Sequence, residues 1–581
     1  MVHNIQKTVW GDCLSDKPHQ EYPRPQFVRD SYVNLNGWWD YAIVDGDIPP
    51  EEYQGKILVP FSPESVLSGV NRQLKPNQTL YYRTTFTLPK DFNKGCVFLH
   101  FGAVDSICDI YLNGVYVCHH EGGYNSFSVE ITAALAREVN LLIVKVRDFS
   151  DTKYYTNGKQ SLKRGGMWYT AQSGIWQTVW LESTPKHHVT SIKITPLYDD
   201  AAVKVHVECN FDGPVTVMIV DGEEEIAKAD GKGELTLHFP QKQFVPWSPE
   251  NPHLYNLYVI TRRDFVKSYF GMRKFGVEKV GKYQRLMLNN KPYFHNGVLD
   301  QGYWSDGLYT APSDEAMVND IFTMKVLGFN MLRKHIKTEP LRWYYHCDRL
   351  GMLVWQDMPS GGTHQHKMST LYLPNLGVRK MKDNDYKRFS REEETTRETF
   401  MREYVEMIDR LYNCVCIATW VPFNEGWGQF DASQVATFTK DYDPTRTVDH
   451  ASGWHDQGGG DVNSFHVYFR AVNLPKDKKR ALCLTEFGGY SYKDKEHCFN
   501  PNKTYAYKKF ATKEQFNRGI EKLYKRDVIA KIPKGLCAAV YTQLSDVEDE
   551  VNGLLTFDRR ITKVYPELMT ELNALCVIKD E

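Results

Sequence analysis

Two apolar runs in this sequence end on a carboxylate. CIATWVPFNE (416–425) closes with Asn424 and Glu425, and LCLTEFGG (482–489) carries Glu486. Each run has the continuous apolar texture of a strand buried on both faces, so each glutamate sits where such a strand emerges from a core. A facing pair of carboxylates suits glycoside hydrolysis. One must hold a proton at neutral pH and give it to the leaving oxygen, and the other must be ionised to attack the anomeric carbon. A lone glutamate in this place reads more simply as a salt-bridged strand cap. Two at opposed strand ends, one of them preceded by asparagine, point to the reaction. Glu425 lies behind Trp420 and Phe423 and next to Trp427, and a partly apolar wall of that kind raises a carboxyl pKa and keeps the proton on.

Positioning two such strand ends requires a particular frame. After about residue 281 the pattern alternates strand and helix, with eight apolar strand candidates at 292–299, 330–335, 352–358, 416–425, 445–452, 462–468, 482–489 and 538–545. A helix begins near Ser313-Asp314-Glu315, another carries WYYHCDRLG (343–351), and others run over 391–412 and 513–530. Eight strand–helix units predict a (β/α)8 barrel, whose chemistry belongs at the C-terminal strand ends. Reading those ends gives Asp300, Arg333, His335, Asp357, Asn424, Glu425, His466, Tyr468, Glu486 and Gln543, with the two glutamates on the fourth and seventh strands, across the barrel axis. Arg333 near Glu486 favours the ionised form, and Tyr468 can donate to the same carboxylate. His335 and His466 read equally as pocket-wall residues and as sugar contacts. Trp304, Trp355, Trp427 and Trp454 offer flat faces for a sugar, with core packing the default for any single tryptophan. Ser390 and Glu393 form a capping box for the 391–412 helix, which makes Arg391–Glu394 a solvated helix start. The stretch from Pro359 to about Ser390 is too long and polar for an ordinary strand–helix loop and suggests a functional loop over the barrel mouth. Its His364-x-His366 lacks a third ligand nearby, so no metal is expected.

The first half is all β. Residues 1–186 give short alternating strands with an Asn113-Gly114 hairpin turn, the texture of a jelly-roll sandwich. Residues 187–280 give five to seven shorter strands, the size of an immunoglobulin-like sandwich, leaving 281–581 for the barrel. The whole chain has 581 residues, 71 basic against 72 acidic side chains and 42% hydrophobic content, which describes a folded globular protein and excludes disorder. Its net charge of -1 and lack of a basic stripe argue against nucleic acid as a partner. No apolar run reaches the roughly 20 residues of a membrane helix. The start, MVHNIQKTVWGDC, lacks a secretory h-region, so the expectation is a cytoplasmic protein, or a secreted or periplasmic one whose signal has been removed. The 12 cysteines are scattered, without a zinc framework, and read as reduced thiols, mostly buried.

The order jelly roll, immunoglobulin-like sandwich, barrel, together with NEGWG (424–428), TEFGG (485–489), SGIWQTVWLE (173–182), WSPENPHLY (247–255) and YFGMRKF (269–275), resembles the family 2 glycoside hydrolases along essentially the whole chain. These include β-galactosidases, β-glucuronidases and β-mannosidases. The resemblance implies that Glu425 is the general acid/base, Glu486 the nucleophile and Asn424 a partner of the sugar 2-hydroxyl, with retention of anomeric configuration and no organic cofactor. It assigns the stabilising tyrosine to Tyr468 and the second-strand arginine to Arg333. Glucuronidases of the family carry an Asn-x-Lys pair before the last barrel helix. The matching stretch here is Glu550-Val551-Asn552-Gly553, which disfavours a glucuronide. Trp355-Gln356-Asp357 is closer to β-mannosidases than to the magnesium-binding segment of the large β-galactosidases. The expected partner is a carbohydrate, with a homo-oligomer compatible with the sequence. The expected activity is an exo-acting retaining β-glycosidase, with β-galactoside the first glycone and β-mannoside, β-glucuronide or a pentofuranoside or galactofuranoside the alternatives. A carbohydrate-binding protein with a dead barrel and a metal hydrolase are the competing classes, and the intact glutamate pair speaks against the first.

Overall fold

The computed structural model describes residues 6–153, 155–362, 374 and 380–579. His364 and His366, and much of the expected loop over the barrel mouth, lie outside the described residues.

The chain opens with a β jelly-roll sandwich. An antiparallel six-stranded sheet runs, in spatial order, Gly55–Val59, Gly37–Asp45, Gln78–Phe86, Asn140–Arg147, Ile107–Leu112 and Val115–Glu121. It faces a four-stranded sheet of Tyr32–Asn34, Val179–Thr184, Cys96–Phe101 and Phe127–Glu130. Alternate residues of both sheets, among them Ile57, Leu80, Leu99, Ile110, Val144 and Leu181, fill the space between them. The hairpin turn forms as its sequence demands. Leu112 pairs with Val115, and Asn113 and Gly114 take φ of 53° and 81°, the left-handed values a two-residue turn needs.

An immunoglobulin-like sandwich of seven strands follows. Val189–Leu197, Ala202–Cys209 and Gly233–His238 form one sheet, and Glu224–Gly231, Val215–Asp221, Tyr255–Ile260 and Phe265–Phe270 the other. All its pairings are antiparallel, and the proline-rich 245–253 segment lies outside the ladders.

The rest is a (β/α)8 barrel. Its strands are β1 (His295–Asp300), β2 (Met331–Lys334), β3 (Leu353–Asp357), β4 (Ile417–Val421), β5 (Thr447–Val448), β6 (Val462–Val467), β7 (Ala481–Gly488) and β8 (Leu536–Thr542). They pair in parallel in the order 5-4-3-2-1-8-7-6, so only β5 and β6 are adjacent without ladder bonds. Nearly every strand residue is buried, as expected when a parallel sheet is covered on both faces. Helices Asp314–Val326, Leu341–Leu350, Glu394–Leu411, Ala432–Tyr442, Lys513–Asp527 and Pro566–Ala574 lie between or after these strands. The first is capped as its sequence suggests, with the Ser313 hydroxyl accepting the Ala316 N–H at 3.2 Å.

One start differs from expectation. The helix that opens near 391 begins only at Glu394, its N-cap Glu393 makes no side-chain cap, and the Ser390–Glu393 capping box is not formed. Nor is the charge run fully solvated. Arg391 is fully buried, donating to the carbonyls of Gly428 and Thr396 at 2.8 Å each and lying over the Phe400 and Phe430 rings. Its guanidinium serves orphaned carbonyls in the wall behind the site rather than solvent.

All 12 cysteines are free and eight are buried. Among the described residues no helix is long and apolar enough to cross a membrane.

Candidate active site

β4 and β7 bring the two glutamates together. Glu425 leaves β4 in a backbone turn that pairs with the exit of β5, its N–H donating to Ser452 O at 2.9 Å. The turn requires left-handed backbone at both Glu425 (φ 52°) and Gly426 (φ 71°), and a Cβ at Gly426 would stand 2.5 Å from the His455 ring. A glutamate held in this conformation is a strained residue at a strand end, a common mark of function.

Glu486 is gripped from two sides. The Arg333 Nη1 donates to its Oε1 at 3.3 Å, and the Tyr468 hydroxyl donates to its Oε2 in a short bond. Arg333 is itself wholly buried and fully used. Its Nε and Nη2 form a fork to Asp357, 3.0 Å each, its Nη2 donates to Asn424 Oδ1 at 2.8 Å and its Nη1 to Thr485 O at 3.1 Å. Against the pull of burial, Asp357 and Glu486 hold the guanidinium above its ordinary pKa. Burial pushes Asp357 up to about 7 even beside this cation. Burial, and then the nearby Glu486 charge, drive the Tyr468 hydroxyl well above its usual range, which keeps it a donor. Tyr468 also stacks on Tyr507 at 3.7 Å between centroids.

Because arginine can only donate, the Arg333–Asn424 bond fixes the amide. Its oxygen faces the guanidinium and its Nδ2 points away, buried without a partner among the described residues. Trp454 Nε1 is likewise buried and unpartnered, 6.2 Å between ring centroids from His466. His466 stands between the glutamates, its Nδ1 2.8 Å from Glu425 Oε1 and 3.6 Å from Glu486 Oε2. One donor atom from each of Glu425, His466 and Glu486 lies within 4.8 Å of the others, and all three residues are buried. Three such donors could hold a metal ion in principle. The Arg333 cation already bonds Glu486, however, and supplies the positive charge an ion would bring.

Other strand-end residues take supporting places. His335 donates or accepts at Asp357 Oδ2 across 2.7 Å, and burial drops its pKa well below normal, leaving a neutral ring. Asp300 is tied to Lys334 Nζ (2.7 Å) and the Gly302 N–H (2.9 Å). Gln543 Oε1 accepts from Gln301 at 2.6 Å. Trp355 is wholly enclosed, its Nε1 bonded to His295 at 2.9 Å, and belongs to the core. Trp304 packs edge-on against Trp10 and under the Arg559 guanidinium, in the same core. Trp427 meets a ring that sequence reading did not single out, Trp168 of the first domain, at 4.9 Å.

That contact belongs to a larger one. Residues 155–170 leave the jelly roll and cross onto the barrel mouth. Asn157 and Gly158 N–H groups both donate to Ser360 O at 2.9 Å, Thr156 donates to Glu403, Tyr169 donates to Glu550 Oε2 at 2.5 Å, and the Thr170 N–H reaches Glu548 at 2.9 Å. The first domain therefore packs onto the barrel beside the candidate site, with Trp168 on Trp427 two residues beyond Glu425. In the sequence this segment, TNGKQSLKRGGMWYT, is only a polar loop; nothing local says which surface it meets.

A (β/α)8 barrel with opposed glutamates on its fourth and seventh strands, preceded by two β-sandwiches, defines the multidomain glycoside hydrolase class of fold. Residues 64–185 match the sugar binding domain of the glycosyl hydrolases family 2, residues 187–273 a further domain of that family, and residues 279–485 its TIM barrel domain. The chain belongs to the family 2 glycoside hydrolases. It is 25% identical over 523 residues to a β-galactosidase of Photobacterium profundum, covering 79% of this chain and 47% of that protein, so it spans about half the length of that relative. A β-D-glucuronidase structure from Dictyoglomus thermophilum shares the fold at TM-score 0.74 and 18% identity, covering 95% of this chain and 98% of that one. A β-galacturonidase structure from Eisenbergiella tayi does so at TM-score 0.68 and 18% identity, covering 96% and 99%.

Proposed function

We propose that the protein is an exo-acting, retaining β-glycosidase in which Glu425 is the general acid/base and Glu486 the nucleophile. The observation that carries this reading is the approach of the two carboxylates, one oxygen of each within 4.8 Å of the other. Retaining enzymes hold their carboxyl groups about 5–5.5 Å apart, whereas inverting ones leave roughly 6.5–9.5 Å for a water.

In the first step a Glu486 oxygen attacks the anomeric carbon. The glycosidic bond breaks, its electron pair stays on the leaving oxygen, and that oxygen takes the proton of Glu425. Glu486 is now an ester of the sugar, and Glu425 is a carboxylate. In the second step Glu425 removes a proton from water, the hydroxide attacks the same carbon, and the ester bond breaks to restore both groups. Arg333 and Tyr468 hold the Glu486 oxygens before attack and must loosen as their charge is consumed. Asn424 Nδ2, aimed away from Arg333 and without a partner among the described residues, suits the sugar 2-hydroxyl.

The glycone read as first is a β-galactoside, supported by the curated relative named above, with β-glucuronide and the other glycones as alternatives. A panel of chromogenic β-glycosides, followed by NMR of the first-formed product, tests the reading. Release of the β-anomer from at least one sugar is expected. First-formed α-anomer would overturn it, and so would turnover that depends on one bound metal equivalent.

A further inference from the structure

Lys159 sits on the loop that the first domain sends over the barrel mouth. It is 6% exposed, and its ammonium has no ion pair or hydrogen bond among the described residues. Other buried lysines of this chain differ. Lys334 pairs with Asp300 and Glu339, Lys337 with Glu339 and two carbonyls, and Lys563 with Asp546. The Lys159 stem is enclosed while its ammonium keeps an accessible face, so the charge is open to a ligand and not spent on a protein anion.

Its place follows from the loop. Gly158 is wedged against the Ile336 carbonyl and the Tyr124 and Tyr309 hydroxyls, where a Cβ would meet each at 2.7–2.9 Å. The chain therefore turns immediately beside Ile336, just past the end of β2, and the next side chain is that of Lys159. The Lys159 Nζ lies 5.6 Å from the ring of Trp427, two residues beyond Glu425, and 5.7 Å from that of Tyr169. Two ring faces near the limit of cation–π reach bed the charge without neutralising it. A carboxylate of this wall, Glu550, is engaged elsewhere, accepting from Tyr169 at Oε2 and from Asn552 Nδ2 at Oε1 across 2.9 Å.

We propose that Lys159 is a specificity residue, and that its ammonium takes an anionic substituent on the glycone. The chemistry it recognises is a sugar carrying a carboxylate at C5 or a sulfate ester at O6. This rests on the active site being formed by Glu425 and Glu486, and it replaces the neutral galactoside read first with an acidic glycone. It also changes the charge argument drawn from Glu550 and Asn552 alone, because the cation comes from a different domain.

Calorimetric binding of free galactose, galacturonate, glucuronate and galactose 6-sulfate to wild type, Lys159→Met and Lys159→Arg tests it without turnover. Wild type should bind at least one acidic sugar about 30-fold or more tighter than galactose, Lys159→Met should lose that preference with galactose affinity kept, and Lys159→Arg should retain most of it. A response to the uronates identifies a carboxylate, and one to galactose 6-sulfate a sulfate ester. Equal or better binding of galactose by wild type would overturn the proposal, as would parallel loss of neutral and acidic sugars in a Lys159→Met protein of unchanged melting temperature. Because binding does not need the chemistry, a wrong assignment of the two glutamates would leave these results unchanged and appear only in turnover.

Discussion

The imidazole of His466 touches the carboxyl of Glu425, its Nδ1 2.8 Å from Oε1. The opposite nitrogen, Nε2, lies 3.4 Å from Ser452 Oγ, whose own proton goes to Thr485 Oγ1 at 3.0 Å. In the tautomer that donates from Nε2 to Ser452 Oγ, Nδ1 accepts, and it then orients a protonated Glu425. With Glu425 as the proposed acid, His466 is then its positioning residue.

Replacing His466 with Ala should lower kcat/KM about 10- to 100-fold for alkyl glycosides and much less for dinitrophenyl glycosides, whose leaving group hardly needs a proton. The alkaline limb of the pH profile, set by loss of the acid's proton, should move, and the acid limb should stay. Equal loss on both substrates with both limbs fixed would give His466 a merely structural place.

Asn424→Ala removes the Nδ2 donor. It should cost a 2-hydroxy substrate about 100-fold in kcat/KM, since hydrogen bonds to the 2-hydroxyl strengthen in the transition state. The matching 2-deoxy glycoside should barely notice the change. A comparison of the two substrates on wild type and variant measures this, and equal losses would move Asn424 away from the 2-hydroxyl.

Arg333 ties Asp357, Asn424, Thr485 and Glu486 together without solvent access. Removing one partner of a buried ion pair leaves an uncompensated charge, so Arg333→Met should destabilise the fold by about 3–5 kcal/mol in denaturant titrations. Adding Asp357→Asn to it should cost less than the sum of the two single changes, because the orphaned carboxylate is gone. Strict additivity would show that the pair is not coupled.

Much of this site is legible in sequence because its chemistry is written at strand ends. The eight strand candidates coincide with β1 to β8, and a carboxylate ending an apolar run is a local signal needing no partner to be seen. What sequence hides is contact between distant segments. Trp304 and Trp355 have the same composition signal as Trp454, yet two of them are closed in by Arg559, Trp10 and His295, and only packing makes that distinction. Ser390 and Glu393 have capping-box spacing, but Arg391 between them is drawn into the wall by the Gly428 and Thr396 carbonyls, and the helix starts later. Lys159 was out of reach for the same reason: its partner surface lies in another domain.

Glu403 gives a test of burial. It lies beneath the first-domain loop, its Oε2 accepting from Thr156 and its Oε1 buried without a hydrogen bond, 3.8 Å from the Arg402 guanidinium, and burial pushes its pKa up to about 7. An acid with a raised folded pKa binds its proton more tightly when folded, so stability is lost as pH rises from the unfolded value near 4.5 through about 7. Glu403→Gln cannot ionise. Relative to wild type it should gain up to about 3 kcal/mol between pH 4.5 and 8, and denaturant titrations at both ends measure this. A difference independent of pH would mean that Glu403 is ionised throughout.

The central claim is that Glu486 attacks and Glu425 transfers protons, and azide rescue separates these roles. In Glu425→Ala, dinitrophenyl glycosides should still glycosylate Glu486, the intermediate should accumulate, and azide should speed turnover to give a glycosyl azide of retained β-configuration. In Glu486→Ala, no glycosyl-enzyme can form, every substrate should fail alike, and any azide rescue should give the inverted α-azide. Retained azide product from Glu486→Ala, with Glu425→Ala losing activated and unactivated substrates in the same proportion, would contradict the account and exchange the two assignments.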